Sequence, residues 1–391
     1  MPILPRNGRI VNWPPMVRLC LHPFPCSLTS KRVVCYAGKN KRLRRQQKEA
    51  VMKATIKDVA KAAGVSPSTV SRALHNSERI SESMRRHIQQ VAREMDFHPN
   101  QMARSLVNRE TRIIGIVFPD DAGMNLGNPF YPAVLQGLGH VASGERYQML
   151  LITGSEDLSA AEAARTAMDS GYVSGLILLA AEDAPPLEAN VPVVVIGHPT
   201  DADKRCYVDN DNVQAGYEAA SHLLANGHRS IGLLGFDSKY VFTADRRRGV
   251  RRALQEAGLN PNHEWLFSAG ACRNQRERLR EVFSLPDRPT AVVCMDDMMA
   301  IELTRTLREF GLRVPQDVSL ISFNNTEIGR YHQPALTTFD VHPYQLGVKA
   351  MRLMLDVLSG KAEAPAAIDV PFTLVPRDSV VNLNTGSENH A

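Results

Sequence analysis

Residues Gly64–Leu74 read GVSPSTVSRAL, a glycine, a proline, four hydroxyl side chains and one arginine in eleven positions. Upstream, Thr55 and Asp58 have the spacing of a short capping box, and Ile56, Val59, Ala60 and Ala63 follow at helical spacing. Gly64 is placed to end that helix in the left-handed conformation. Ser66 then caps a second helix, with Pro67 at its first position, where a missing N–H costs nothing. Val70, Ala73 and Leu74 face inward, which leaves Pro67, Ser68, Ser71, Arg72 and His75 outside. Two short helices joined by a tight turn are a helix-turn-helix. A third helix starts at a Ser81 cap with the stripe Met84, Ile88, Val91, Ala92 and Met95, and FHPN stops it at Phe97–Pro99. The outer face of the second helix is short, polar and cationic. Such a face can lie close to a DNA groove, where an arginine fork reads the O6/N7 edge of guanine. Spacing alone also permits a solvated amphipathic helix.

The charge map separates this module from the rest. Residues 1–51 hold 11 Lys/Arg and 1 Asp/Glu, residues 52–112 hold 11 and 6, and residues 113–391 hold 24 and 34. Two basic segments precede a large acidic body, the distribution of a sensor that carries a module for a polyanion. Residues 1–51, with NWPP, HPFPCS and KNKRLRRQQK, have little apolar periodicity and no signal-peptide pattern. They are expected to be an unstructured basic extension, read from upstream of a natural start at Met52. The basic run could instead touch phosphates. No apolar run is long enough to span a bilayer. Six cysteines without a C-x-x-C pair point to a reducing cytoplasm, and no His/Cys spacing supports a metal site.

Beyond residue 112, strand-like runs (IIGIVF, YQMLLIT, GLILLA, VPVVVIG, SIGLLGF, TAVVCM, VSLISF) alternate with helical segments. Continuous apolar strands separated by helices predict parallel sheets covered on both faces. The run is too long for one such unit and divides near Val208, so two lobes with a cleft outside the strand ends are expected.

The stretches DVAKAAGVSPSTVSRAL and HPNQMARSL, at this spacing, resemble the DNA-binding module of the LacI/GalR family of bacterial regulators. GHRSIGLLG, GLRVPQDVSLISFNN and PALTT resemble the same family's body, in order, so the resemblance covers effectively everything after Met52. It implies a small all-α helix-turn-helix DNA-binding domain over 52–98, a hinge helix and linker over 99–112, and an α/β two-lobed periplasmic-binding-protein-like effector and dimerisation domain over 113–391. It implies that Ser66 to Arg72 begin a recognition helix in the major groove, with Pro67, Ser68 and Arg72 reading bases and Thr55, Thr69, Ser71 and Asn76 also at the DNA. In the hinge, Ala103 would meet the minor groove and Leu106 would be the wedge, supported at the backbone by Asn100 and Arg104. A wedge unstacks a base step and bends the duplex, and a seven-residue helix is too short to be stable alone.

For the effector, TADRRRG makes Arg246 the leading contact and CMDDMMA makes Asp297 the second, with Asp296 competing. NPFYP places Asn128, Phe130 and Tyr131 near the cleft, Phe130 as either a stacking platform or a core plug. His198 stands where many relatives carry Asp, and Asp209 in VDNDN is read as structural or lobe-crossing. VFPDDAGMNLGNPFYPAVLQG and VDNDNVQAGY look most like the family's maltose-operon repressor branch, which makes an α-glucoside the first choice of ligand.

The implied protein is a cytoplasmic, homodimeric repressor of carbohydrate-utilisation genes on palindromic double-stranded DNA, with no cofactor and no membrane partner. A purine-responsive, corepressor-activated relative is the alternative within the family. A solute-binding receptor shares the body fold but should carry an export signal and no DNA module. No G-x-S-x-G, H-E-x-x-H or P-loop argues for an enzyme. The adjacent Asp296 and Asp297 should point to opposite faces.

Overall fold

In a computed structural model, the described residues are 54–74, 76–77, 79–97, 111–119, 127–155, 157–179, 191–236, 240–259, 263–267 and 276–384. The chain forms two compact units that meet in sequence at Pro99 and Asn100.

The first unit holds helices α1 (Ile56–Ala62), α2 (Pro67–Leu74) and α3 (Glu82–Glu94). The Thr55–Asp58 capping box is present: the Asp58 N–H donates to Thr55 Oγ1, and the Thr55 N–H donates back to Asp58 Oδ2 at 2.9 Å. Each helix ends on a left-handed residue, Gly64 (φ 69°), Asn76 (φ 54°) and Asp96 (φ 49°). The next N–H turns back to the helix in each case, Val65 to Ala60 O, Ser77 to Arg72 O and Phe97 to Ala92 O. Val59, Ala60, Val70, Ala73, Ile88 and Ala92 form the core, with Val65 and Phe97 packed on it. Two expectations fail here. Met84 is 38% exposed and lies outside the core, where Ile80 packs instead. Ser81 makes no side-chain cap bond. The loop before α3 is instead held by the Arg85 guanidinium, which donates to Ser77 O and Ile80 O at 3.2 Å.

The second unit contains two six-stranded sheets. The first has the order β11-β5-β4-β3-β1-β2, from β1 (Ile113–Val117), β2 (Gln148–Ile152), β3 (Gly175–Leu178), β4 (Val193–Ile196), β5 (Cys206–Asp209) and β11 (Ala366–Asp369), every pair parallel. The second has the order β12-β10-β9-β8-β6-β7, from β6 (Ile231–Phe236), β7 (His263–Phe267), β8 (Ala291–Cys294), β9 (Ser319–Phe323), β10 (Thr337–Asp340) and β12 (Thr373–Val375), with β12 alone antiparallel. Helices α4 (Phe130–Gly144), α5 (Ala160–Asp169) and α11 (Pro343–Leu358) pack on the first sheet. Helices α6 (Asn212–Ala225), α7 (Val241–Glu256), α8 (Arg276–Phe283), α9 (Asp297–Glu309) and α10 (Glu327–Tyr331) accompany the second.

The seven expected strand runs all carry strands. The five unexpected ones are β5, β7, β10, β11 and β12. Three of them lie at sheet edges, and β10 begins with two buried threonines. Val208 lies one residue before the first lobe crossing, at 209–212, but the chain crosses again at 340–343 and at 369–373. One side chain joins these crossings. The Asn210 amide, 7% exposed, donates to Val370 O at 2.8 Å and to Val341 O at 3.2 Å.

Candidate functional site

The outer face of α2 is built as the sequence suggests. Ser66 Oγ accepts from the Thr69 N–H at 3.2 Å and clusters with the Ser68 and Thr69 hydroxyls at 2.8 Å. Pro67, Ser68 and Arg72 are exposed, and Thr69 and Ser71 are half-buried. Arg72 meets no acceptor in its own module among the described contacts, so its guanidinium stands ready for an outside partner. Two other candidates carry structural duties. The Thr55 hydroxyl donates to Asp58 Oδ2 at 2.6 Å, which holds that carboxyl below its usual range. Asn76 Oδ1 accepts from Gln89 Nε2 at 3.0 Å, tying the end of α2 to α3. Asn100, Ala103, Arg104 and Leu106 of the expected hinge lie outside the described residues, as does His75.

The second site is a cleft between the two sheets of the larger unit. Its polar lining is Asn128, Asp209, Asn210, Asn212, Arg246, Asp296 and Asn324. Aromatic and aliphatic groups, Phe130, Tyr131, Tyr240, Phe242, Ile196 and Leu346 among them, line it as well.

Arg246 is the centre. Its position depends on two helices approaching backbone to backbone: a Cβ at Gly216 of α6 would lie 2.1 Å from Arg246 O, and one at Gly249 of α7 would lie 1.9 Å from Val213 O. From there Arg246 Nε donates to Asn212 Oδ1 at 2.9 Å and Nη1 to Met295 O at 2.8 Å. Its guanidinium carbon sits 4.1 Å from the Phe323 ring centre and 5.2 Å from that of Phe242. Burial lowers its pKa to about 10, opposed chiefly by Asp209. Asp209 accepts from the Asn210 N–H at 2.8 Å and from Asn212 Nδ2. Burial pushes its pKa to about 7 against the pull of the Asn210 N–H and Arg246. Asp209 thus both stands at the first lobe crossing and lines the cleft.

The adjacent aspartates do point apart, but their ranking reverses. Asp296 faces the cleft, caps α9 by accepting from the Met299 N–H at 2.9 Å, and accepts from Asn128 Nδ2 of the opposite lobe at 2.5 Å. Burial raises its carboxyl above the ordinary range. Asp297 does not line the cleft. It is 0% exposed and accepts from Ser322 Oγ, Thr338 Oγ1, the Thr326 N–H and Thr326 Oγ1. A carboxylate with four donors joins the starts of α9 and α10 to the sheet and has no room for a ligand.

Phe130 is half-buried and packs against the cores of both lobes while lining the cleft, so plug and platform coincide in one ring. Tyr131 stacks edge-on to it at 5.3 Å. His198 is exposed at the rim, 5.2 Å ring to ring from Tyr207. The sequence reading missed Asn210, Asn212, Tyr240, Phe242 and Asn324. VDNDN and SFNN held a signal for three of them, since polar residues end apolar strands there. Asn324 is half-buried with φ 101°, and its side chain has no described partner.

Comparison with known proteins agrees with this division. The model of bacterial regulatory proteins of the lacI family matches residues 55–100, and that of the periplasmic binding protein-like domain matches residues 220–380. The HTH-type transcriptional regulator MalR of Streptococcus pneumoniae is 31% identical over 318 residues, 79% of this chain and 94% of that protein. The HTH-type transcriptional repressor PurR of Photobacterium profundum is 28% identical over 338 residues, 85% of this chain and 100% of that protein. The crystal structure of the lac repressor dimer bound to operator and the anti-inducer ONPF aligns with a TM-score of 0.73 at 26% identity, over 84% of this chain and 99% of that one. A helix-turn-helix unit on one chain with a two-lobed small-molecule unit defines a ligand-responsive, DNA-binding transcriptional regulator. The chain belongs to the lacI family of bacterial regulatory proteins and is a transcriptional repressor of that family. No helix among the described residues is long and apolar enough to cross a membrane.

Proposed function

We propose that this repressor acts as a homodimer on a palindromic operator of carbohydrate-utilisation genes and is released when a small sugar of the maltose or α-glucoside class fills the cleft. The mixed lining of the cleft carries the reading. Carboxylates, amides and one arginine suit paired hydroxyls, and Phe130, Tyr131, Tyr240 and Phe242 suit the apolar face of a sugar ring. Similarity to MalR supports the sugar. Similarity to PurR of comparable extent supports a second reading, a purine that strengthens DNA binding.

At the DNA, Pro67, Ser68 and Arg72 choose bases, while Ser66, Thr69 and Ser71 bring the helix close. Asn100, Ala103, Arg104 and Leu106 form a hinge helix that folds on the operator and melts when the effector shifts the attached bodies. Leu150 and Leu151, 40% and 50% exposed on the edge strand β2, offer apolar area for a second copy to cover.

A gel-shift titration on a palindrome from the gene's own upstream region, with maltose or guanine added, tests the reading. Release by maltose is expected. Tightening by guanine would replace the sugar with the purine, and binding no tighter than to random duplex at physiological salt would remove the DNA assignment.

A further inference from the structure

We propose that Asn325, Asp340 and His342 form a polar relay that carries occupancy of the cleft to the start of α11 and so to the first lobe, resting on the reading of this cleft as the effector site. The three are coupling residues and not effector contacts.

Six non-glycine residues among those described have a positive φ. Asn76, Asp96 and Arg146 stop helices α2, α3 and α4, where a left-handed residue is ordinary. The other three, Asn324 (φ 101°), Asn325 (φ 48°) and His342 (φ 52°), stop no helix. Two of these bond one carboxylate, and the third precedes them in the chain. Asp340 Oδ2 accepts from Asn325 Nδ2 at 2.9 Å, and Asp340 Oδ1 accepts from the His342 N–H at 2.7 Å. A left-handed backbone at a residue other than glycine persists only where its surroundings hold it, and such residues gather at switches.

One end of the relay is the cleft. Asn324 lines it, and the Asn324 N–H donates to Phe339 O at 2.8 Å. The Asn325 amide is held in one orientation, because its Oδ1 accepts from Arg377 Nη2 while its Nδ2 donates to Asp340. The Asn325 N–H donates to Thr338 Oγ1 at 3.3 Å. A displacement of Asn324 is therefore passed to β10 and to Asp340. The other end is α11. His342 is its N-cap, and His342 O accepts from the Gln345 and Leu346 N–H groups at 2.9 and 3.0 Å. The His342 ring spans the second and third crossings, with Nδ1 3.3 Å from Asp340 Oδ1 and Nε2 3.3 Å from Thr373 Oγ1. In turn α11 lies backbone to backbone on α4: a Cβ at Gly137 would be 2.1 Å from Tyr344 O, and one at Gly347 would be 2.2 Å from Val134 O. Helices packed this closely shift as a pair. An effector that moves Asn324 thus biases the position of α11 and α4 together.

Maltose and guanine are the probes, and the readout on the full chain is the ratio of operator Kd with saturating probe to that without it. Asp340→Asn has one oxygen where the relay needs two. It should bring the ratio at least fivefold closer to one, while the probe Kd without DNA and the operator Kd without probe stay within twofold. Adding Asn325→Asp keeps an acceptor for Arg377 and re-forms the bond with donor and acceptor exchanged, so the double variant should return the ratio to within twofold of the parent. An unchanged ratio in Asp340→Asn, or a lost ratio that the double variant does not recover, overturns the relay. So does a probe that binds yet leaves the operator Kd of the parent chain unaltered. If neither probe shifts the melting temperature, the sugar and purine readings fall, and hydrogen exchange without ligand decides the relay. Asp340→Asn should then speed exchange at Gln345 and Leu346 at least fivefold, and the double variant should reverse it. Equal exchange in the parent and Asp340→Asn overturns the relay.

Discussion

Arg72 and Asp297 are opposite cases of one polar residue on a helix. Arg72 is exposed and uncommitted within its module, so its replacement leaves the core intact. Arg72→Ala should weaken operator binding by about 1–3 kcal/mol per half-site and relax base preference, measured by competition against single-base operator variants. Asp297 is the acceptor for four donors in the interior. Asp297→Ala should cost about 3–5 kcal/mol in denaturant unfolding, because the buried donors lose their partner. Asp209 sets a pH dependence. Its carboxyl is raised from 3.8 to about 7 by burial, so the folded state holds the proton more tightly than the unfolded chain does. That contribution is whole below pH 3.8 and is lost as pH rises through about 7. Asp209→Asn should flatten this part of the melting temperature's fall with pH. An unchanged slope would show that another group carries it.

Among the elements, α1, α2 and the seven apolar strands were legible because each carries a local signal: a cap, a left-handed stop or a continuous apolar run. Met84 was misread because helical spacing predicts a face but not what covers it; Ile80, from the preceding loop, fills that place in the core. Strands β10 and β11 were hidden for a related reason. β10 satisfies Thr337 and Thr338 through Ser379, Arg377 and Asp297, which are remote in sequence. The cleft was legible at Arg246, Asn128 and the aromatic pair. The choice between Asp296 and Asp297 needed the strand end itself, since only there does one side chain turn toward the cleft and Asn128 and the other toward Ser322. The crossings have their own determinant in Asn210. Asn210→Ala should leave each lobe's core intact yet loosen their coupling, read as faster hydrogen exchange at the three crossings with little change at β3 or β8.

At the scale of the molecule, neither lobe of the larger unit is a continuous piece of chain. The first sheet draws β11 and its covering helix α11 from beyond residue 340, after the second sheet has taken five of its six strands. A fragment of residues 111–209 should therefore lack a cooperative melting transition, because the inner side of its sheet has lost the Leu346, Ala350, Met351 and Met354 surface. A cooperative transition in that fragment would show the first lobe to be self-sufficient. The same threading bears on how the protein is made. Domains ordinarily fold as they leave the ribosome, the amino-terminal one first. Here the helix-turn-helix unit can do so, but the first lobe must wait, unfinished, until Asp369 has emerged. The order in which its parts are synthesised thus ties the birth of a ligand-binding body to the near-completion of the whole chain, and an interrupted translation product would carry a DNA-reading head with no finished sensor to control it.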